Sequence, residues 1–199
     1  ILGLMTQIVG NWWQNRNGNR ELLLSWQILP LFYGGLGAVL RWNVFESWTG
    51  LTTLGLVIIA IGVGRRKIAY KPLIYLAVVG ISASAYEILG YQVSGLPLGD
   101  QLFAMAGLAT TIMYGYRILT PWLTQYLTLT TGELRMIAHL HWGLGSGLLG
   151  LGILLPVTVN QWLGLGAGVF LARYAIMQGR NHPQRSLGEI WVSGGLVEA

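Results

Sequence analysis

The sequence from Arg135 to Arg180, RMIAHLHWGLGSGLLGLGILLPVTVNQWLGLGAGVFLARYAIMQGR, predicts a hairpin of two membrane-spanning helices. Its two apolar blocks, 137–155 and 162–177, are joined by a short uncharged link, and an arginine stands at each outer end. A helix rises about 1.5 Å per residue, so each block approaches the thickness of a hydrocarbon core of about 30 Å. Both outer ends of such a hairpin lie on the same side of the membrane.

Composition extends this prediction to the whole chain. Of the 199 residues, 53% are hydrophobic and 10% are charged, whereas a soluble domain has about 25% charged residues. Twelve basic and seven acidic side chains are too few to cover a water-facing surface, so we expect a lipid bilayer to cover most of it. The chain has no cysteine, which excludes disulfides and thiolate metal sites.

Apolar runs and helix-boundary signals predict an all-α membrane protein with six transmembrane helices arranged as three helical hairpins. Pro72 suits the first turn of the third span, and Asp100 is expected to cap the fourth. The capping box Thr130-x-x-Glu133 is expected to start the fifth. The predicted spans are residues 22–40, 49–64, 72–91, 101–119, 135–155 and 162–178.

Two flanking segments complete the predicted organisation around the transmembrane domain, 22–178. Residues 1–21 are interpreted as a cytoplasmic or interfacial segment in which Trp12 and Trp13 act as membrane anchors. Residues 179–199 are interpreted as a polar cytoplasmic tail that leads into a further apolar segment. We therefore expect the chain to be a fragment of a longer polytopic protein.

The positions of lysine and arginine predict the orientation. Eleven of the twelve basic residues fall in or beside the N-terminal segment, the second and fourth loops and the C-terminal tail, which leaves Arg41 on the opposite side. The positive-inside rule therefore places both ends in the cytoplasm. The basic charge is explained by topology, and the sequence has no basic stripe with stacking aromatic residues, so no nucleic-acid partner is predicted.

The glycines of the hairpin predict helix packing. Residues 145–150 match G-x-G-x-x-G, but a dinucleotide-binding loop follows a strand and opens a helix, whereas this match lies inside a predicted span. Gly143 and Gly147 have the small-xxx-small spacing that lets membrane helices approach closely, as do Gly164 and Gly168. The sequence offers neither a nucleophile–base pair nor a metal cluster, so we predict no enzyme and no metal site.

Two histidines open the fifth span and are candidate ligands for a cofactor. His139 and His141 lie about 200° apart around a helix, so they face different neighbours and cannot share one metal ion. Either imidazole alone is suited to bind the magnesium of chlorophyll or the iron of haem. The alternative is a hydrogen bond to a neighbouring helix or to a lipid headgroup.

Four charged residues are predicted to form a polar cluster at the outer face. Glu87 lies near the outer end of the third span and Asp100 caps the fourth, while Arg41 and Glu46 lie in the first outer loop. Ionisable groups near a membrane are functional candidates. The cluster, with Arg41 paired to Glu87, would line the outer vestibule of a transporter or channel for a small solute or proton.

Three segments resemble a known group of proteins: GELRMIAHLHWGLGSGLL at 132–149, YAIMQGR at 174–180 and SAYEILGYQ at 84–92. They are similar to large multi-pass integral membrane proteins of cyanobacteria whose function is unknown. The resemblance implies a longer parent chain built of repeated hairpins in a photosynthetic cell, in the thylakoid or plasma membrane.

The function expected from these features is that of a non-enzymatic membrane scaffold or accessory subunit. The glycine-lined helices and the resemblance favour packing with other membrane protein subunits, for example those of a photosynthetic complex in the thylakoid. Two alternatives stay open: the transporter with a polar outer vestibule, and a pigment- or haem-binding subunit that uses His139 or His141.

Overall fold

The computed structural model describes residues 2–16, 29, 32–34, 36, 37, 40, 50, 53–59, 71–127 and 129–198. Within these ranges every element is a helix. Most of the predicted spans 22–40 and 49–64 lies outside the described residues. The helices with defined bounds are α1 (Leu2–Arg16), α2 (Lys71–Val93), α3 (Leu98–Ile118), α4 (Thr120–Leu127), α5 (Thr131–Ile153), α6 (Gln161–Arg180) and α7 (Arg185–Glu198).

The chain divides into two compact units, Ile1–Gln92 and Val93–Ala199. In the first unit, α2 matches the predicted third span and begins one residue before Pro72. Its Gly80 accommodates the side chain of Val57, which is buried. The hydroxyl of Ser84 donates to the carbonyl of Gly80 at 2.9 Å, so this polar side chain is satisfied within its own helix.

In the second unit, α3 and α6 run parallel and α5 runs antiparallel to both. Asp100, at the start of α3, bonds to Asn160, which directly precedes α6. Further along, the hydroxyl of Tyr114 donates to the carbonyl of Phe170 at 3.1 Å. The long helix α5 returns between these ends, joined to α3 through the short helix α4.

The start of α5 confirms the predicted capping box. The backbone N–H of Glu133 donates to the hydroxyl of Thr130 at 3.2 Å, and the Glu133 carboxylate accepts the Thr130 N–H at 2.7 Å. Two N–H groups that would otherwise lack partners are thereby satisfied. The helix begins at Thr131 rather than at the predicted residue 135.

The interface of α3, α5 and α6 is built around Phe103. A Cβ atom added at Gly152 of α5 would lie 2.5 Å from the Phe103 ring, and one added at Gly164 of α6 would overlap the same ring. The absence of a side chain at both positions lets one aromatic ring fill the space between three backbones. Fully buried small or flexible side chains continue this core at Ala106, Ala109, Met113, Ala138, Leu171 and Ala175.

The segment predicted as a polar tail contains helix α7, which folds back antiparallel on α6. A Cβ atom at Gly179 would lie 2.5 Å from the carbonyl oxygen of Gly188. About two helical turns further along, a Cβ atom at Gly195 would lie 2.8 Å from the carbonyl oxygen of Ala172. The two helices thus approach at backbone distance because glycine stands at each crossing.

Two described helices are long and apolar enough to cross a membrane: Ile74–Val93, with mean hydropathy 1.4, and Thr131–Ile153, with mean hydropathy 1.2. They match the predicted third and fifth spans. The helices α3 and α6 coincide with the fourth and sixth spans in position and length but do not pass the same test. The all-helical prediction is confirmed for the described residues, and the six-span arrangement stays a prediction.

The glycine contacts predict that Gly164→Ala destabilises the second unit. A methyl group there overlaps the Phe103 ring, and such overpacking costs about 1–3 kcal/mol in free energy of unfolding. The matched control is Gly166→Ala in the same helix, where a Cβ atom meets nothing within 4 Å. In the control, the free energy of unfolding should rise by up to about 1 kcal/mol, because alanine has a higher helix propensity than glycine. Thermal unfolding in a mild detergent measures both; equal stability of the two variants would contradict this packing.

Candidate functional site

The most buried charged group among the described residues is Asp100, whose exposed fraction is 0%. Its two carboxylate oxygens accept four hydrogen bonds from the turn before α6. Three come from consecutive backbone N–H groups, of Thr158 at 3.0 Å, Val159 at 3.0 Å and Asn160 at 2.7 Å. The fourth comes from the Thr158 hydroxyl at 2.8 Å. In return, the Asn160 side-chain amide donates to the Asp100 carbonyl at 3.0 Å.

These bonds hold the carboxylate in its charged form. Burial raises the pKa of Asp100, but the backbone N–H groups of Asn160, Thr158 and Val159 and the Thr158 hydroxyl lower it, and together they outweigh burial. The pKa falls from 3.8 to about 2.

The prediction that Asp100 caps its own helix is wrong: the N-cap residue of α3 is Pro97, and Asp100 in the first turn binds the α6 turn instead.

His139 lies in a cluster of aromatic side chains from three helices. Its Nδ1 atom and the Tyr174 hydroxyl of α6 are hydrogen-bonded at 2.9 Å. The ring of Trp191, from α7, lies 4.9 Å from the His139 ring and 4.6 Å from that of Trp142. Tyr174 is 1% exposed and His139 is half-buried, so this hydrogen bond is partly shielded from solvent. Because Nδ1 is engaged by Tyr174, a ligand role for His139 would rest on Nε2.

His141 contacts a different helix, as its position around α5 predicts. Its ring lies 5.9 Å from that of Tyr116 on α3. Its Nδ1 is 2.9 Å from the carbonyl oxygen of Ile137, one turn earlier in the same helix. The two histidines are thus separate, and the described residues bring together no group of three or more potential metal ligands.

A cleft lies between the C-terminal half of α3 and α6, beside the aromatic cluster. Its volume is about 250 Å³, and it is lined by Tyr114, Arg117, Ile118, Arg173, Tyr174 and Met177. The guanidinium carbon of Arg117 lies 5.3 Å from the centre of the Tyr174 ring, a cation–π distance. Arg135 lies on α5 one turn before His139, which bonds to Tyr174, so it stands at the same end of the unit. Three helices therefore each bring one arginine to this end of the unit.

The predicted outer cluster is divided between separate surroundings. Arg41 and Glu46 lie outside the described residues. Glu87 belongs to the first unit, where its carboxylate accepts the Thr53 hydroxyl at 3.1 Å. Asp100 belongs to the second unit and has its own partners. A vestibule formed by these residues, and the transport role attached to it, stays a prediction.

The glycines predicted to pack helices differ in their surroundings. Gly164 meets Phe103, and Gly168 is buried. At Gly143 and Gly147 an added Cβ atom would meet nothing within 4 Å. Their predicted packing role therefore requires a partner other than the neighbours these positions have here.

Sequence reasoning missed the partners of the predicted residues. Nothing in the local sequence connects Trp191 or Tyr174 with His139, because the link is made by folding α7 back along α6. The turn that binds Asp100 has a recognisable signal: Thr158 and Asn160 stand in the uncharged link, and both residue types are common in turns that offer N–H groups.

Neither protein-family profiles, nor curated protein sequences, nor solved structures give a match to this chain.

The geometry of Asp100 predicts a stability that depends on acid pH. Because the folded pKa, about 2, is below the ordinary 3.8, folding favours the charged form. The contribution is fully present above pH 4 and is lost as the pH falls from about 4 to about 2. Asp100→Asn should therefore lower the unfolding temperature at neutral pH, and the gap to the wild type should narrow across that window. The control is Glu189→Gln, at an exposed ion pair on α7; a constant gap for Asp100→Asn would contradict the assignment.

Proposed function

We propose that this protein is a non-enzymatic integral membrane scaffold or accessory subunit, in which α5 packs against a transmembrane helix of another membrane protein. The proposal includes the six-span topology with cytoplasmic ends. The resemblance to multi-pass cyanobacterial proteins supports a photosynthetic cell, and its thylakoid membrane, as the setting.

The observation that carries the proposal is the open face of α5, defined by Gly143, Gly147 and Gly150. An added Cβ atom would meet nothing within 4 Å at any of the three. At 100° per residue, these positions fall within about 60° of one another around the helix. Gly145 and Gly152, which contact α3 and α6, lie on the opposite side. The helix thus has two faces that carry glycines, and one of them packs against α3 and α6 within the unit.

The surroundings of the open face favour an apolar helix as the occupant. Leu140, Leu144 and Leu151 flank the glycines, and Leu140 is 63% exposed. A row of exposed apolar side chains along a helix of 23 residues is typical of contact with lipid or with another protein. Lipid does not need a groove, whereas glycines at this spacing allow a second helix to approach to backbone distance.

Photo-crosslinking in native membranes tests this proposal. A photoreactive phenylalanine analogue at Leu144 should crosslink to one membrane-spanning protein, and the same analogue at Val169 of α6, also exposed, should react with lipid. Adding Gly147→Leu should abolish the protein crosslink while preserving the fold, because a Cβ atom added there meets nothing within 4 Å. Crosslinks only to lipid or within the same chain, or a crosslink that survives Gly147→Leu, would reject the proposal.

A second candidate function is pigment or haem binding through His139. The hydrogen bond between Tyr174 and Nδ1 favours it, because metal-bound histidines usually have their second nitrogen fixed in this way. Chlorophyll or haem would then bind at Nε2.

An absorption spectrum of the protein purified from native membranes tests this candidate. A visible absorption band is expected, and His139→Ala should remove it, whereas His141→Ala should retain it because His141 faces α3. A colourless protein, or a band that persists in His139→Ala, would eliminate this function.

A further inference from the structure

The cleft between α3 and α6 contains two exposed guanidinium groups and no acidic side chain in its lining. We propose that it binds the phosphate of an anionic phospholipid headgroup, with Arg117 and Arg173 on the phosphate oxygens and the acyl chains along α6. The inference rests on the membrane placement of α3 and α6 but not on the partner proposed for α5.

Charge is the first reason. Among the described residues, the ion pair that forms is Arg185 with Glu189, on α7, and no carboxylate pairs with Arg117 or Arg173. Glu133, the acidic residue nearest in sequence to Arg135, is held by the N–H and hydroxyl of Thr130. Like charges at one end of a bundle repel one another, so a bound anion would stabilise them. Guanidinium groups suit this role because they bind phosphate oxygens in a bidentate manner.

Fixed positions are the second reason. Arg117 lies against the Tyr174 ring, and Tyr174 is itself held by His139. The other wall of the cleft is fixed by the hydrogen bond from Tyr114 to the Phe170 carbonyl. Both tyrosine hydroxyls therefore have partners within the protein, and the exposed guanidinium groups carry N–H donors that a ligand can reach. A site whose walls are already ordered loses less entropy on binding.

The apolar lining is the reason to choose a lipid as the source of the phosphate. Ile118 is 73% exposed and Met177 is 42% exposed, and both line the cleft. Phe170, one helical turn from Arg173, continues the exposed apolar surface along α6. A soluble phosphate would gain nothing from these side chains, whereas acyl chains would cover them. The volume, about 250 Å³, is below the about 300 Å³ of the smallest drug-sized pockets and suits a headgroup.

The predicted orientation agrees with this ligand. The cleft lies at the end of α3 that carries Arg117, which the distribution of basic residues places at the cytoplasmic face. Basic pockets between transmembrane helices at that face are known to hold anionic headgroups.

Lipid binding to the purified full chain in a neutral detergent tests the proposal, with phosphatidylglycerol as the probe and native mass spectrometry and thermal stability as readouts. The test variant is Arg117→Gln with Arg173→Gln. The matched control is Arg180→Gln with Arg185→Gln, which removes the same charge nearby but outside the cleft. The wild type and the control should bind phosphatidylglycerol with similar affinity, and the test variant at least tenfold more weakly. Circular dichroism checks that both variants keep their helix content.

Two outcomes would overturn the proposal. Equal binding by the test variant and the control would mean that the arginines of the cleft do not hold the headgroup. Glycerol 3-phosphate that binds as tightly as phosphatidylglycerol would mean that the cleft takes a soluble phosphate. Neither readout depends on a protein partner, so a negative crosslinking result at Leu144 would leave this test intact, and the reverse also holds.

Discussion

The buried carboxylate of Asp100 fixes the arrangement of the second unit, because it joins the start of α3 to the turn that starts α6. Four hydrogen bonds across 58 to 60 residues of sequence hold these ends together. With both starts at one place, α3 and α6 run parallel, and α5 must return between them. Tyr114 then lies beside Phe170, and Arg117 lies over Tyr174. Both the aromatic cluster and the arginine cleft therefore depend on one charged group at the far end of the helices.

Local signals predicted the elements well, whereas contacts between distant elements escaped prediction. The capping box at Thr130 acts through atoms three residues apart, so its residue types suffice to identify it. The partner of Asp100 is about sixty residues away, and carboxylates that cap a helix or bind a distant turn look the same in sequence. For His139, the spacing predicted the face but not the neighbours, because Trp191 reaches it through the return of α7.

The glycines illustrate why spacing alone does not identify an interface. Between residues 143 and 152, glycine occupies five positions of α5 and covers two opposite faces. The small-xxx-small pattern falls at Gly143 and Gly147, yet the side of α5 that packs within the unit carries Gly145 and Gly152. The choice between the faces is made by Phe103 of α3, whose ring needs the space at Gly152 and Gly164. A sequence pattern can show that a helix is able to pack closely, but the bulky residue that enters the gap belongs to another helix.

In the second unit, the buried acid and the arginines of the cleft lie at opposite ends of the helix bundle. This arrangement connects the membrane topology with ligand binding. At one end, Asp100, the buried acid among the described residues, keeps its charge, is hydrogen-bonded by backbone N–H groups and offers nothing to an external cation. At the other end, Arg117 and Arg173 line the cleft beside Tyr174, and among the described residues no carboxylate forms an ion pair with either. In the positive-inside rule, such arginines only indicate which ends of the helices face the cytoplasm. A guanidinium group without an acidic partner is stabilised when it binds an anion. The cytoplasmic surface of a membrane supplies anionic headgroups. On the predicted topology and with the proposed lipid site, the same residues would set the orientation of the helices and bind the lipid around them.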